Sequence, residues 1–265
     1  MLLPRFLLII LILSILNTQA YMIGTGSYLN CSDEFLMKTS KMIYEGRLTT
    51  ESLKRISEEA CFSTDREVRS PLVIRTGPVE AYRMALVRLL NETFSVADVE
   101  AVYNDSSNML FAMLENSSSV DSSLLFIFCP DVSINSSGLS VCGHTYPNLM
   151  VKHSTNRTSF YISSTTDGVQ INGLLNTAWV RLNKNDVVTE HGVLFYSPDD
   201  AFYLLPKDVS IVSIRLIDGP LYSITVSEDR RLFGIIRLTV EYETTVDPQT
   251  LELSVQRPWW YLLTF

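Results

Sequence analysis

The chain has 265 residues, with 21 basic and 29 acidic side chains and a net charge of −8. An acidic chain with no run of Lys and Arg lacks the clustered cations that bind a phosphate backbone, which argues against a nucleic-acid partner. At 46% apolar and 19% charged residues, the composition also argues against disorder and leaves enough length for a real core.

Residues 1–20 read as a secretory leader and not as part of the fold. Arg5 supplies the positive start, and Phe6 to Leu16 form an apolar run broken only by Ser14. Thr18-Gln19-Ala20 then offers small residues for cleavage after Ala20. The apolar run is too short for a membrane anchor, which takes about 18–20 residues.

The first half of the mature chain reads as helical. Phe35, Leu36, Met42 and Ile43 share one helical face, as do Leu53, Ile56 and Ala60 in a second helix starting near Thr49 or Thr50. Thr76-Gly77-Pro78 marks a third start, followed by a stripe of Val79, Tyr82, Leu86, Leu89 and Leu90. Ser95 and Asp98 resemble a capping box for a short helix carrying Val96, Val99 and Val102. A further helix is expected from Ser106 or Ser107, carrying Met109, Leu110, Met113 and Leu114.

The serine-rich stretch Ser117–Ser123 marks a boundary, after which the apolar period changes. Strands are expected at Leu124–Phe128, Phe160–Ser163, Ala178–Leu182, Val193–Tyr196 and Ala201–Leu205. More follow at Val209–Ile217, Leu221–Val226, Leu232–Tyr242 and Leu251–Val255, with turn dipeptides at Asp167-Gly168 and Asp218-Gly219. The apolar end, Pro258–Phe265, is too short to cross a bilayer. It reads as a final strand tucked into the core, the alternative being an exposed patch that docks on a partner or membrane. The expected fold is therefore α+β. A leader (1–20) precedes a helix-rich region (21–118) and an antiparallel β-rich region (119–265), the last two as separate units or as one compact domain.

Cys31, Cys61, Cys129 and Cys142 all follow the leader and enter an oxidising compartment, so disulfides are expected. Four cysteines allow three internal pairings. Cys129 and Cys142 bracket the turn-like stretch Pro130–Gly138 and are candidates for a short internal loop. Asn-x-Ser/Thr sequons begin at Asn30, Asn91, Asn104, Asn116, Asn135 and Asn156. Each occupied one must face solvent. None follows Thr158, so the later part carries more unshielded surface.

Motifs for chemistry are lacking. There is no G-x-S-x-G elbow, no H-E-x-x-H helix and no phosphate-binding loop. His144, His153 and His191 lack zinc-site spacing, and no C-x-x-C occurs, so neither a metal nor a cofactor is expected. No local pattern pairs a histidine with a nucleophile. A binding role fits better than catalysis, with the aromatics of the sequon-free part (Trp179, Phe195, Tyr196, Phe202, Tyr203, Tyr222, Phe233, Trp259, Trp260, Tyr261) as core or as interface anchors.

The order of these features resembles a known family. Cys31-Ser32-Asp33-Glu34-Phe35-Leu36, Tyr44-Glu45-Gly46 and Glu51-Ser52-Leu53 are similar to the opening of herpesvirus glycoprotein L of the cytomegalovirus type. So is Pro71-Leu72-Val73-Ile74-Arg75 with Thr76-Gly77-Pro78-Val79-Glu80-Ala81-Tyr82-Arg83, which resembles the betaherpesvirus group most. Tyr103-Asn104 with Leu110 and Leu114 looks like the family's helix, and Cys129 and Cys142 fall where its central cysteines would. The likeness covers residues 31–145 and not the C-terminal strands.

It implies a non-enzymatic envelope subunit that pairs with membrane-anchored glycoprotein H, supports its folding and transport, and serves in entry and membrane fusion. Membrane association would then be indirect, through the partner. The implied location is the secretory pathway, host cell surface and virion envelope, with further accessory envelope glycoproteins and a host receptor as partners. The family also offers a use for Cys31 and Cys61 as bridges to the partner, against an internal Cys31–Cys61 bond. A secreted immunomodulatory glycoprotein that binds a host receptor or ligand is the second reading.

Overall fold

The computed structural model describes residues 28–64, 77–92 and 94–264. The leader and the family-like block Pro71–Thr76 lie outside them. Helices occupy the first half and mostly antiparallel strands the second, so the α+β class expected from the sequence is the one observed.

Strand β1 (Tyr28–Cys31) pairs antiparallel with β2 (Cys61–Thr64), and Cys31 sits directly opposite Cys61. Two helices run between them, α1 (Asp33–Tyr44) and α2 (Thr50–Ala60). Ser32 caps α1 by accepting the Phe35 N–H at 3.2 Å, and Thr49 with Ser52 forms a reciprocal box on α2. Helix α3 (Pro78–Asn91) begins at a proline whose missing N–H costs nothing in a first turn. It buries Tyr82 and Leu86.

Helix α4 (Val96–Glu115) is one helix of 20 residues where the sequence suggests two. Ser106 and Ser107 look like a fresh N-terminus because serine favours caps. Here they are buried inside the helix, with Val99, Tyr103, Leu110 and Leu114. A second correction concerns Leu124–Phe128, which lies in helix α5 (Ser122–Phe128) and not in a strand. A five-residue apolar run carries no period that separates the two. The deciding group is Asp121, whose carboxylate accepts the Ser123 N–H at 2.9 Å as a cap. Phe128 then packs beside Tyr82 and Tyr103, with ring centres 5.5 and 6.0 Å away, and its carbonyl accepts the Tyr103 hydroxyl at 2.8 Å.

The remaining strands begin with β3 (Ser119–Asp121), β4 (Val132–Asn135), β5 (Gly138–Val141), β6 (His144–Tyr146) and β7 (Met150–Ser154). They continue as β8 (Ser159–Thr165), β9 (Gly168–Ile171), β10 (Leu175–Thr177), β11 (Trp179–Asn183), β12 (Asp186–Thr189) and β13 (Gly192–Leu194). One sheet has the order β13-β12-β11-β4-β5-β6, another β10-β9-β8-β7-β3. Only the β3–β7 pairing is parallel among the described strands. The two sheets meet through β4 and β5 against β8 and β9. Val132, Ile134, Leu139 and Val141 of the first are buried, as are Phe160, Ile162, Val169 and Ile171 of the second. This is the alternation that a two-layer β core demands.

A four-stranded antiparallel sheet follows: β14 (Ser210–Ile217), β15 (Leu221–Leu232), β16 (Ile236–Val246) and β17 (Leu253–Gln256). Before it, Ala201–Leu205 is not a strand. It falls in and after the short helix α6 (Pro198–Phe202), set by a Ser197–Asp200 capping box with Pro198 in the first turn. Leu232–Tyr242 is not one strand either, because the Phe233–Ile235 turn interrupts it. The final segment is a 3-10 helix, Trp259–Leu263, and only Tyr261 in it is buried. The buried apolar residues of helices and sheets, from Cys31 to Tyr261, form one connected cluster.

Candidate docking surface

The cysteines close on one another within the chain. Cys31 bonds Cys61 across the β1–β2 ladder, and Cys129 bonds Cys142, with Cα atoms 4.1 and 5.5 Å apart. Of the two uses open to Cys31 and Cys61, the structure has the internal bond, and no described cysteine is free to reach a partner. The sequon residues Asn91, Asn104, Asn116, Asn135 and Asn156 are all exposed, which meets the steric condition for a glycan.

Several exposed apolar residues gather at the far end of the β15–β16 hairpin. Its strands are 12 and 11 residues long. Near the base, Tyr222, Ile224, Val226, Val240, Tyr242 and Val246 line the buried face. Toward the tip that cover ends. Phe233 is 63% exposed, Ile235 83% and Ile236 59%. The C-terminal 3-10 helix is strapped to the same end: the Phe233 N–H donates to the Leu263 carbonyl at 3.1 Å, and Leu232 bridges to Thr264. Residues three apart eclipse in such a helix, so Trp259 (81% exposed) and Leu262 (83%) share its outer face. The tip turn puts Phe233 at φ 51° and Gly234 at φ 75°. Glycine takes that conformation freely, whereas an aromatic residue pays on the order of 1 kcal/mol for it.

Behind the tip, the buried face carries a polar hub. Tyr261 donates its hydroxyl to Glu228 at 2.7 Å and accepts from Arg230, which is ion-paired to Glu228 at 2.7 Å. The Arg230 and Arg257 guanidinium groups lie 4.8 and 4.6 Å from the Tyr261 ring centre. Burial, and then the Glu228 carboxylate, push the Tyr261 phenol up, so it stays a neutral donor. On the opposite face the register sets Arg231 directly across from Arg237. The nearest acid in register, Asp229, instead accepts the Thr239 hydroxyl at 2.8 Å. No ion pair reaches Arg231 or Arg237 among the described residues. Like charges directly opposite on a ladder are unfavourable, and Asp229, which lines one cleft with both arginines, bonds Thr239 and not either of them.

The sequence pointed at part of this surface. Of the candidate aromatic anchors, Tyr222 and Tyr261 are core, while Trp179, Tyr203, Phe233 and Trp259 are exposed. Phe233 and Trp259 lie on the two elements strapped together at the hairpin end. The Arg231–Arg237 pair went unseen because its register depends on where the turn falls, and Phe233-Gly234 was the available signal.

A second arrangement lies in a cleft of about 380 Å³ lined in part by Asp33, Met37, Val79, Phe126, Ser122 and His153. The Ser122 hydroxyl and His153 Nδ1 are 2.7 Å apart, and both residues are buried. Burial holds the His153 imidazole below the usual histidine range, with Asp186, Asp121 and the Asn183 backbone pulling partly the other way. Its Nε2 has no hydrogen-bonded carboxylate to orient it, as a serine nucleophile's base requires. His144 packs against Phe111 with the rings tilted, and His191 pairs with Asp218 at 2.8 Å, so the three histidines stand in separate places. Among the described residues no three His, Cys, Asp or Glu side chains gather as metal ligands, and no helix is long and apolar enough to cross a membrane.

Comparison of the chain with models of known protein families, with curated proteins and with solved structures finds no match.

Proposed function

We propose that the chain is a non-enzymatic viral envelope subunit of the glycoprotein L type. It associates with a membrane-anchored glycoprotein H, supports that partner's folding and surface transport, and takes part in entry and in fusion of viral and host membranes. The observation that carries this reading is the nature of the residues behind the family likeness. Phe35, Leu36, Leu53, Tyr82, Leu110 and Leu114 are buried, and Cys31, Cys61, Cys129 and Cys142 form the two disulfides. These positions hold the fold together, and the partner follows from the family likeness that they carry. The exposed sequon residues and the disulfides also suit the secretory route that such a subunit takes.

Because both disulfides are internal, association with the partner is non-covalent. Co-expression with a betaherpesvirus glycoprotein H tests the reading. The expected result is poor secretion of the chain alone, surface delivery of both proteins together, and two separate bands on a non-reducing gel of the complex. Secretion of a stable monomer from which no partner is recovered overturns it, in favour of a glycoprotein that acts alone on a host ligand.

A further inference from the structure

We infer that the free end of the β15–β16 hairpin, with the 3-10 helix strapped to it, is a lipid-binding site. It inserts Phe233, Ile235 and Ile236 into a bilayer surface and holds anionic phospholipid headgroups at Arg231 and Arg237.

Three independent features of this end converge on a lipid surface. First, its apolar residues are exposed at a projecting point and not along a groove. From the base pair Tyr222–Val246 to the tip pair Leu232–Ile236 the hairpin runs ten residues, or about 30 Å. Phe233, Ile235 and Ile236 sit around the outermost turn, with Trp259 and Leu262 on the neighbouring helix. A projecting apolar tip with tryptophan beside it suits the headgroup–acyl boundary, where amphipathic indole rings concentrate. Second, the turn holds Phe233 in a left-handed conformation that costs energy and leaves its ring 63% exposed. That turn, with the Ile235 N–H donating to the Leu232 carbonyl at 3.1 Å, needs φ > 0 at both central positions but does not need a bulky apolar side chain there.

Third, the charge behind the tip is of the complementary sign. The whole chain is acidic, yet Arg231 and Arg237 face each other one pair behind Leu232 and Ile236, with no ion pair among the described residues. A phosphate or carboxylate headgroup between two guanidinium groups would remove their mutual repulsion and use their hydrogen-bonding forks. Arg230 does not compete for it, being held by Glu228 and Tyr261. The sequon residues also leave this end clear, since none of them lies on β14–β17.

This assignment does not rest on the partner reading, and its test is separate. The full glycosylated chain, secreted alone or with its partner, is floated with phosphatidylcholine vesicles, with and without a phosphatidylserine fraction. Binding is expected, and stronger to vesicles carrying phosphatidylserine. Phe233→Ser with Ile235→Ser should weaken it at least tenfold on both vesicle types. Arg231→Gln with Arg237→Gln should remove the preference for phosphatidylserine, by about fivefold for each arginine. Ile235→Trp should keep binding and blue-shift its fluorescence on contact with vesicles, which reports insertion of the tip. No flotation of the unaltered chain, or flotation unchanged by the double serine variant, overturns the proposal. So does loss of partner association in the serine variant when the unaltered complex ignores vesicles, which would make the tip a protein contact.

Discussion

The helical region and the terminal sheet treat their apolar residues in opposite ways. In the helices each apolar stripe meets another element of the same chain: Tyr82, Tyr103 and Phe128 come from α3, α4 and α5 and pack as one aromatic group. Two disulfides crosslink the chain around these helices. In the terminal sheet the inner face of β15 and β16 starts buried and ends bare, with Phe233, Ile235 and Ile236 exposed. The difference separates residues that stabilise the fold from residues the fold merely displays. Large stability effects belong to the first group, and large binding effects with little change in stability to the second.

Mutation can sharpen or break that contrast. The largest effect is expected for Phe128→Ala, which removes a fully buried ring from the aromatic group and should cost about 3–5 kcal/mol by denaturant unfolding. Next come paired alanine substitutions at Cys129 and Cys142, and at Cys31 and Cys61. Each pair should cost about 2–4 kcal/mol, the second more because its cysteines stand 30 residues apart against 13. Equal or reversed losses would show that chain entropy is not what these bonds restrain.

A smaller effect should appear with pH. His153 is buried and its folded pKa lies below the ordinary 6.5, so the folded state holds the neutral ring. The unfolded chain takes up its proton first as pH falls. His153 therefore lowers stability as pH drops through 6.5 toward its folded pKa, by at most about 1.4 kcal/mol per pH unit, and has no such effect above that range. Unfolding measured between neutral and mildly acid pH should show this slope, and His153→Gln should remove His153's share of it. An unchanged slope in that variant would assign the acid sensitivity elsewhere. The smallest change in stability, within about 0.5 kcal/mol, is expected for Ile235→Ser at the hairpin tip. A loss of several kcal/mol there would break the contrast, because it would make the tip part of the fold.

How much of this could be read from the sequence depended on whether local chemistry decided the outcome. Pro78, the Ser95–Asp98 box and the Thr49 start are local, and the helices begin where those residues say. The continuity of α4 through Ser106 and Ser107 was hidden because only the packing against other helices makes those serines interior. Leu124–Phe128 and Ala201–Leu205 were misread for a related reason: Asp121 and the Ser197–Asp200 box outweighed β-rich composition. Several short strands between Val132 and Leu194 escaped notice, since strands of three to five residues hold too few alternations to stand out. The apolar end was legible as a surplus of aromatics. Its partnership with Arg231 and Arg237 was not, because cross-strand register is a tertiary fact.

The order of the disulfides along the chain sets a timetable for synthesis. All four cysteines are present once Cys142 has been made, before any strand of the terminal sheet, which begins at Ser210. Ribosomes add about 5–20 residues each second, so several seconds separate the last cysteine from the first strand of that sheet. The thiols of the helical half can therefore be oxidised while the hairpin is still untranslated. Its apolar tip emerges after both cysteine pairs, beside a half that can already be locked.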